Sequence, residues 1–69
     1  MASPLFQRYY KRYIVQKLDA HSGVWQNVDS FGTPDRAEQF MRQMVTQTPS
    51  VKAARVFDQV QKQAVIKHP

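Results

Sequence analysis

A single helix pattern in the middle of the chain most constrains the fold. Thr33 can cap a helix N-terminus, and Pro34 suits the first helical turn, where its missing N–H costs nothing. Apolar residues then recur at the spacing of one helical face, at Ala37, Phe40, Met41, Met44 and Val45. Pro49 disfavours helical geometry at the residue before it, so we expect the helix to end near Gln47.

Charged residues along the same segment support a helix with one exposed face. Asp35 stands in the first turn, where the positive end of the helix dipole favours a carboxylate. Glu38 and Arg42 are four residues apart, in the order that favours an ion pair on the helix surface. The opposite, apolar face must be covered by another part of the chain.

Strand patterns occur in pairs on both sides of the helix. Residues 13–18 and 24–28 are rich in β-branched and aromatic side chains, and residues 19–23 between them supply turn chemistry that includes Gly23. Residues 54–58 and 64–67 have the same strand character. The segment 59–63 that joins them contains neither Gly nor Pro, so one long or bulged strand is an alternative to a second hairpin.

These elements predict an α+β fold, ββαββ, in which a small antiparallel sheet carries one helix on one face. The sheet is the only surface large enough to cover the apolar side of the helix. We expect the helix to meet inward-facing strand residues, namely Ile14, Val15, Trp25, Val28, Val56 and Ile66. The other sheet face is expected to be solvated or to meet a partner.

The N-terminal segment allows two interpretations. Apolar and aromatic residues recur at helical spacing behind a Ser3-Pro4 start signal, whereas their aromatic and β-branched character favours a strand. We favour a strand that begins around Tyr9 or Tyr10, after a flexible arm formed by residues 1–8. Residues 9–69 then form a single ββαββ domain, in keeping with a chain of 69 residues.

The composition argues against several classes of protein. The chain has no cysteine, so neither a disulfide framework nor a thiolate metal site can form. No apolar run approaches the roughly 20 residues that cross a bilayer, and the N-terminus lacks the apolar stretch of a secretory signal. We therefore expect a cytoplasmic protein that does not associate with membranes.

Nothing in the sequence indicates catalysis, so we do not expect an enzyme. His21 and Ser22 are adjacent in a predicted turn, but no orienting acid or oxyanion donor marks a site around them. The carboxylates are scattered over separate elements, at Asp19, Asp29, Asp35, Glu38 and Asp58. Two separated histidines cannot supply a tetrahedral zinc site, and neither glycine belongs to a phosphate-binding loop. We expect no catalytic or metal-binding residue and no cofactor.

The formal net charge of +5 favours an anionic partner, either an acidic protein surface or nucleic acid. The densest basic segment is Arg8-Tyr9-Tyr10-Lys11-Arg12-Tyr13, in which positive charges attract phosphates and exposed rings can stack on unpaired bases. The alternative is that the tyrosines cover one side of the sheet and the basic residues form its solvated edge. Lys17 and Trp25 complete the candidate residues for partner or nucleic-acid binding.

Trp25 has two interpretations of its own. Beside Val24 and Val28 on a strand, it is expected to be a core or half-buried residue. If it faces the solvated side of the sheet with Tyr10 or Tyr13, it becomes an anchor for a partner, because Trp, Tyr and Arg dominate interface energetics.

Three groups of residues carry a resemblance to known proteins: Gly23-Val24-Trp25, Phe31 ahead of the Thr33-Pro34 cap, and Arg55-Val56-Phe57-Asp58. Over residues 13–67 the sequence resembles the short hairpin–helix–hairpin proteins of bacteriophages and other mobile elements. The resemblance implies a small binder that blocks or redirects a host enzyme, as anti-CRISPR and polymerase-inhibiting proteins do. It assigns no functional residue to a position of this chain.

The leading functional hypothesis is a non-catalytic interaction module that binds a protein partner. The partner would be an acidic protein surface or a nucleic-acid-handling protein, with the module acting as a phage-type inhibitor or modulator of a host enzyme. The alternatives are direct binding of single-stranded nucleic acid and a structural small subunit of a larger assembly. Two free sheet edges and a solvated face also lead us to expect self-association into a homodimer.

Overall fold

A computed structural model describes residues 11–68, which form a four-stranded antiparallel sheet with one helix on one face. The elements are β1 (Tyr13–Leu18), β2 (Trp25–Phe31), α1 (Pro34–Gln47), β3 (Ala54–Asp58) and β4 (Gln63–His68). The strand order is β2-β1-β3-β4, and every neighbouring pair is antiparallel. The predicted α+β fold with a small antiparallel sheet and a single helix is confirmed.

The beginning of the sheet differs from the prediction. β1 begins at Tyr13, and Lys11 and Arg12 precede it without strand structure. The predicted strand start at Tyr9 or Tyr10, and the predicted arm of residues 1–8, lie outside the described residues. Tyr13 and Ile14 belong to a strand, as favoured over the helical alternative.

The predicted ends of α1 are confirmed by its hydrogen bonds. Thr33 adopts an extended conformation and its Oγ1 accepts the backbone N–H of Arg36 at 3.3 Å, which caps the N-terminus. Pro34 begins the helix, which ends at Gln47. On the exposed side, the guanidinium of Arg42 donates to Glu38 Oε2 from Nη2 at 2.6 Å, as the four-residue spacing predicts.

The core lies between α1 and the two central strands. Its fully buried apolar residues are Val15, Ala37, Met41, Ala54 and Val56, with Phe31, Phe40, Met44, Val45 and Ile66 packed at its margin. Val15, Val56 and Ile66 therefore face the helix as predicted. Ile14, Trp25 and Val28 do not face the helix, which corrects that part of the prediction, although Ile14 is buried on the opposite side of the sheet.

β-strand alternation and one bulge explain these corrections. Ile14 directly precedes Val15 and lies on the opposite face of the sheet, because successive residues of a strand point to opposite sides. Val28 is the extra residue of a β-bulge in β2, where the register shifts, and it is 38% exposed. The bulge reverses the alternation along β2, so Phe31 faces α1 while Trp25 faces away from it.

The two hairpin turns have the same type of backbone hydrogen bond and each has a residue with positive φ, although only the first contains glycine. In the first, the backbone N–H of Gly23 bonds the carbonyl of Asp19 at 2.8 Å, and Gly23 has a φ of +71°. In the second, the N–H of Lys62 bonds the carbonyl of Asp58 at 2.7 Å, and Lys62 has a φ of +57°. Residues 59–62 thus form a hairpin turn, with Gln63 already part of β4, and the alternative of one long strand is wrong.

We expect Lys62→Gly to raise the free energy of unfolding by about 0.5–1 kcal/mol. The left-handed conformation costs a residue with a Cβ about 1–2 kcal/mol, and the larger entropy loss of glycine offsets part of that gain. Urea unfolding followed by circular dichroism measures the change. Lys62→Ala, which removes the same charge but keeps the Cβ, should give no such gain. Equal effects of the two substitutions would contradict backbone strain at this turn.

Candidate partner-binding face

The sheet face turned away from α1 is the candidate site, and we call it the outer face. The pairing register and strand alternation place on it Ile14, Gln16, Leu18, Trp25, Asn27, Ser30, Arg55, Phe57, Ala64 and Lys67. Within residues 11–68, no helix or strand covers this face. Its cationic residues are Arg55 and Lys67, and the register places none of the carboxylates on it.

Arg55, on the central strand β3, lies against two aromatic rings. Its guanidinium carbon is 4.2 Å from the ring centroid of Trp25 and 5.5 Å from that of Phe57. Phe57 follows two residues later on the same strand, whereas Trp25 reaches Arg55 from β2 across β1. A cation over an aromatic face gains about 0.5–1 kcal/mol when exposed and about 2 kcal/mol when desolvated. The two rings therefore hold the guanidinium in one place.

A line of side-chain hydrogen bonds crosses three strands and orients the same guanidinium. Arg55 Nε donates to Gln16 Oε1 at 2.7 Å, and Gln16 Nε2 donates to Asn27 Oδ1 at 2.8 Å. The bond to Gln16 occupies one of the five N–H groups of the guanidinium. Within the described part of the chain, the two terminal nitrogens of Arg55 have neither a hydrogen bond nor a carboxylate partner.

A surface pocket of about 370 Å³ adjoins Arg55 where β3 begins and β4 ends. It is lined by Trp25, Ala53, Ala54, Arg55, Lys67 and His68. Arg55 and Lys67 are directly paired across β3 and β4, so both cationic side chains stand on the same side of the sheet. No Asp or Glu lines the pocket, which leaves its charge positive.

The structure places Arg12 and Tyr13 at the other end of the sheet. Arg12 donates from Nε to Asp58 Oδ1 at 3.0 Å and from Nη2 to Oδ2 at 3.1 Å. Asp58 is only 2% exposed, so this carboxylate depends on Arg12 for compensation of its charge. Tyr13 packs against the core on the α1 side, with Arg12 over its ring at 5.1 Å. Both residues thus have a structural role.

The remaining predicted site residues are dispersed. Lys11 is exposed, and its backbone N–H donates to Ser30 Oγ at 2.8 Å. Lys17 alternates with Gln16 and therefore stands on the helix-facing side of β1. Arg8, Tyr9 and Tyr10 lie outside the described residues.

Trp25 lies away from Tyr13, the last residue of the basic segment Arg8-Tyr9-Tyr10-Lys11-Arg12-Tyr13. It pairs with Leu18, five positions along β1 from Tyr13, which corresponds to about 17 Å of extended strand. It faces the opposite side of the sheet from Tyr13. Trp25 is half-buried, as the first interpretation expected, but it lies on the outer face under Arg55 and not beside Tyr13.

Arg55, Phe57 and Lys67 are the cationic and aromatic residues of this face that the sequence prediction did not include. Arg55 and Phe57 are two positions apart on one strand, a spacing that places them on one face. The sequence pattern could therefore pair them with each other. It could not show that Trp25 shares their face, because that depends on the bulge in β2.

Ser22, which was considered for catalysis beside His21, has a structural explanation. Ser22 Oγ donates to Asp19 Oδ2 at 2.8 Å and accepts the N–H of Val24 at 3.2 Å, which makes it part of the first hairpin turn. Across residues 11–68 no three side chains of His, Asp or Glu lie close enough together to hold a metal ion.

In the same part of the chain, no helix has the length and apolar character that crossing a membrane requires.

Comparison with known proteins gave no match to a family model, a curated protein or a solved structure.

We expect acid to remove stability through Asp58. Its pKa is lowered from the ordinary value of 3.8, chiefly by the hydrogen bonds from Arg12 and further by the backbone N–H groups of Val60 and Gln61, against the effect of burial. The folded carboxyl therefore binds its proton less tightly than the unfolded one. Its contribution to the free energy of unfolding is complete above about pH 4 and is lost as pH falls through the folded-state pKa.

Urea unfolding of the wild type and Asp58→Asn over about pH 7 to pH 2.5 tests this expectation. The variant should be less stable near neutrality, and the difference should shrink below about pH 4. Asp19, whose pKa is lowered mainly by the Ser22 hydroxyl, gives both proteins a shared acid-sensitive component. A difference that stays constant across the whole range would contradict the role of Asp58.

Proposed function

We propose that this protein is a small, non-catalytic interaction module whose outer face binds an acidic surface of a protein partner. The observation that carries the proposal is Arg55, held by Trp25 and Phe57 without a carboxylate partner among the described residues. Trp and Arg are the residue types most enriched among those that dominate interface energetics. The positive charge of the face favours an acidic surface opposite it.

The fixed position of Arg55 lowers the cost of binding. A free arginine loses about 2 kcal/mol of rotamer entropy when a partner immobilises it. Here two rings and the bond to Gln16 already restrict the side chain, so a partner meets donors that are in place. The arrangement gives a partner a preorganised cation rather than a mobile surface charge.

The sheet edges are less suited to binding than the outer face. β2 is interrupted by the bulge at Val28, and β4 has a register shift at Val65. Bulges at edges twist the strand and disrupt the regular row of N–H and C=O groups that an added strand needs. The homodimer expected from edge pairing remains a prediction, and these bulges oppose that particular mode of pairing.

Direct binding of single-stranded nucleic acid remains the second candidate function. It is supported by two aromatic rings and two cationic side chains on one sheet face, a combination that stacks bases and attracts phosphates. Arg55, however, already lies over both rings, and Arg12 is bound to Asp58. These contacts favour the protein partner.

A nucleic-acid-handling host enzyme is our proposal for the class of partner. Support for this class comes from the resemblance to short proteins of bacteriophages and mobile elements alone. We place the interaction in the cytoplasm, since small extracellular domains usually rely on disulfides and this sequence has no cysteine.

The test is an affinity purification from a lysate of the source organism, with and without nuclease. Four baits are compared: the wild type, Arg55→Glu, Trp25→Ala, and Arg36→Glu as the control. Arg36 is exposed in the first turn of α1, so its substitution makes the same charge change away from the outer face. We expect a stoichiometric protein that survives nuclease, is retained by Arg36→Glu, and is lost at least about tenfold with the other two variants.

Two outcomes would count against the proposal. Recovery of nucleic acid alone, or of proteins that disappear after nuclease, would favour the second candidate function. Equal loss with Arg36→Glu would show that the partner responds to net charge and not to the outer face. Circular dichroism of each bait confirms that the variants are folded.

A further inference from the structure

We propose that the pocket beside Arg55 binds a carboxylate that is attached to an apolar group, supplied by the partner as an acidic side chain next to an apolar one. The inference rests on the proposed function and names the chemical group that the outer face recognises. It assigns the anion to Arg55 and Lys67, and the apolar group to Trp25 and Ala53.

The cationic side of the pocket is suited to a carboxylate. The terminal nitrogens of Arg55 carry N–H groups in a planar fork that can donate two parallel hydrogen bonds to the two oxygens of one carboxylate. Their orientation is set by the bond from Nε to Gln16 and by the ring of Trp25. Lys67, the cross-strand neighbour of Arg55, adds a second positive charge.

The apolar side of the pocket limits the size of the ligand. Trp25 and Ala53 line the pocket next to the two cations, whereas the side chain of Ala54, which also borders the pocket, is buried in the core. The volume of about 370 Å³ is near the lower end of the range of about 300–1,000 Å³ for small-molecule sites. The pocket therefore accepts one or two side chains rather than an extended ligand.

The surroundings favour a carboxylate over a phosphate. Phosphate sites commonly use backbone N–H groups at a helix N-terminus or in a glycine-rich loop. α1 begins just after Phe31, which pairs with Tyr13 at the end of the sheet away from the pocket, and neither glycine lines the pocket. The anion would be held by side chains alone, and the two coplanar oxygens of a carboxylate match the planar pair of donors of Arg55.

Phenylacetate is a suitable probe, because it joins a carboxylate to an apolar ring. Trp25 is the one tryptophan of the chain, so its fluorescence reports on this pocket alone, and amide NMR shifts locate the bound probe. We expect saturable binding with a Kd of about 1–10 mM, as ligand efficiency predicts for a probe of this size. The shifts should centre on Trp25, Arg55 and Lys67.

Matched probes and variants make the result specific. Phenylacetamide, which has the same shape without the charge, should bind about tenfold more weakly, and Arg55→Gln should weaken phenylacetate binding by a similar factor. Lys67→Gln, on an exposed position of the edge strand, should weaken binding severalfold with the fold intact. Arg36→Gln should leave it unchanged. Dispersed amide spectra confirm that each variant is folded.

Three results would overturn the inference: no saturable shift at Trp25, equal binding of phenylacetamide, or tenfold tighter binding of phenyl phosphate. Failure of the inference and failure of the proposed function remain distinguishable. A nuclease-resistant partner that is lost with Arg55→Glu, from a protein that does not bind phenylacetate, overturns only the carboxylate pocket. Phenylacetate binding without any recoverable protein partner supports the pocket and contradicts the interaction module.

Discussion

Burial of one face of α1 on the two central strands is the interaction on which the rest of the structure depends. Val15 on β1 and Val56 on β3 are directly paired, and both are completely buried together with Ala37 and Met41 of the helix. Once these two valines face α1, strand alternation turns Gln16, Arg55 and Phe57 to the other side. The outer face is thus a geometric consequence of the core.

The positive charge of the chain is distributed unevenly by the fold. Arg12 is paired with the buried carboxylate of Asp58, and Arg42 with Glu38 on the helix surface. Arg55 has instead two aromatic rings and one amide oxygen as neighbours. A net charge of +5 therefore does not identify the binding cations, because an arginine that compensates a buried carboxylate cannot leave it without a large desolvation cost.

Local sequence signals predicted the helix and the strands well, whereas they predicted less well which side of the sheet each residue occupies. The Thr33-Pro34 cap and the Asp19 to Gly23 turn act through neighbouring backbone groups, so their chemistry is readable from adjacent residues. Trp25 was expected to be a core or half-buried residue, beside Val24 and Val28 on a strand. A regular strand would place it on the same side as Phe31, six positions later. The bulge at Val28 adds one residue and reverses that relation.

The sequence by itself determined the helix, its cap, the four strands and the order in which they follow one another, because propensity, periodicity and capping act between residues that are close along the chain. Only the tertiary structure decided that β1 lies next to β3, that Arg12 meets Asp58 across 46 positions, and that Trp25 and Arg55 meet on one face. The physical reason is that strand register decides which side of the sheet each side chain occupies. The register in turn is fixed by the set of residues that the core can bury together. One bulged residue is enough to exchange the two faces.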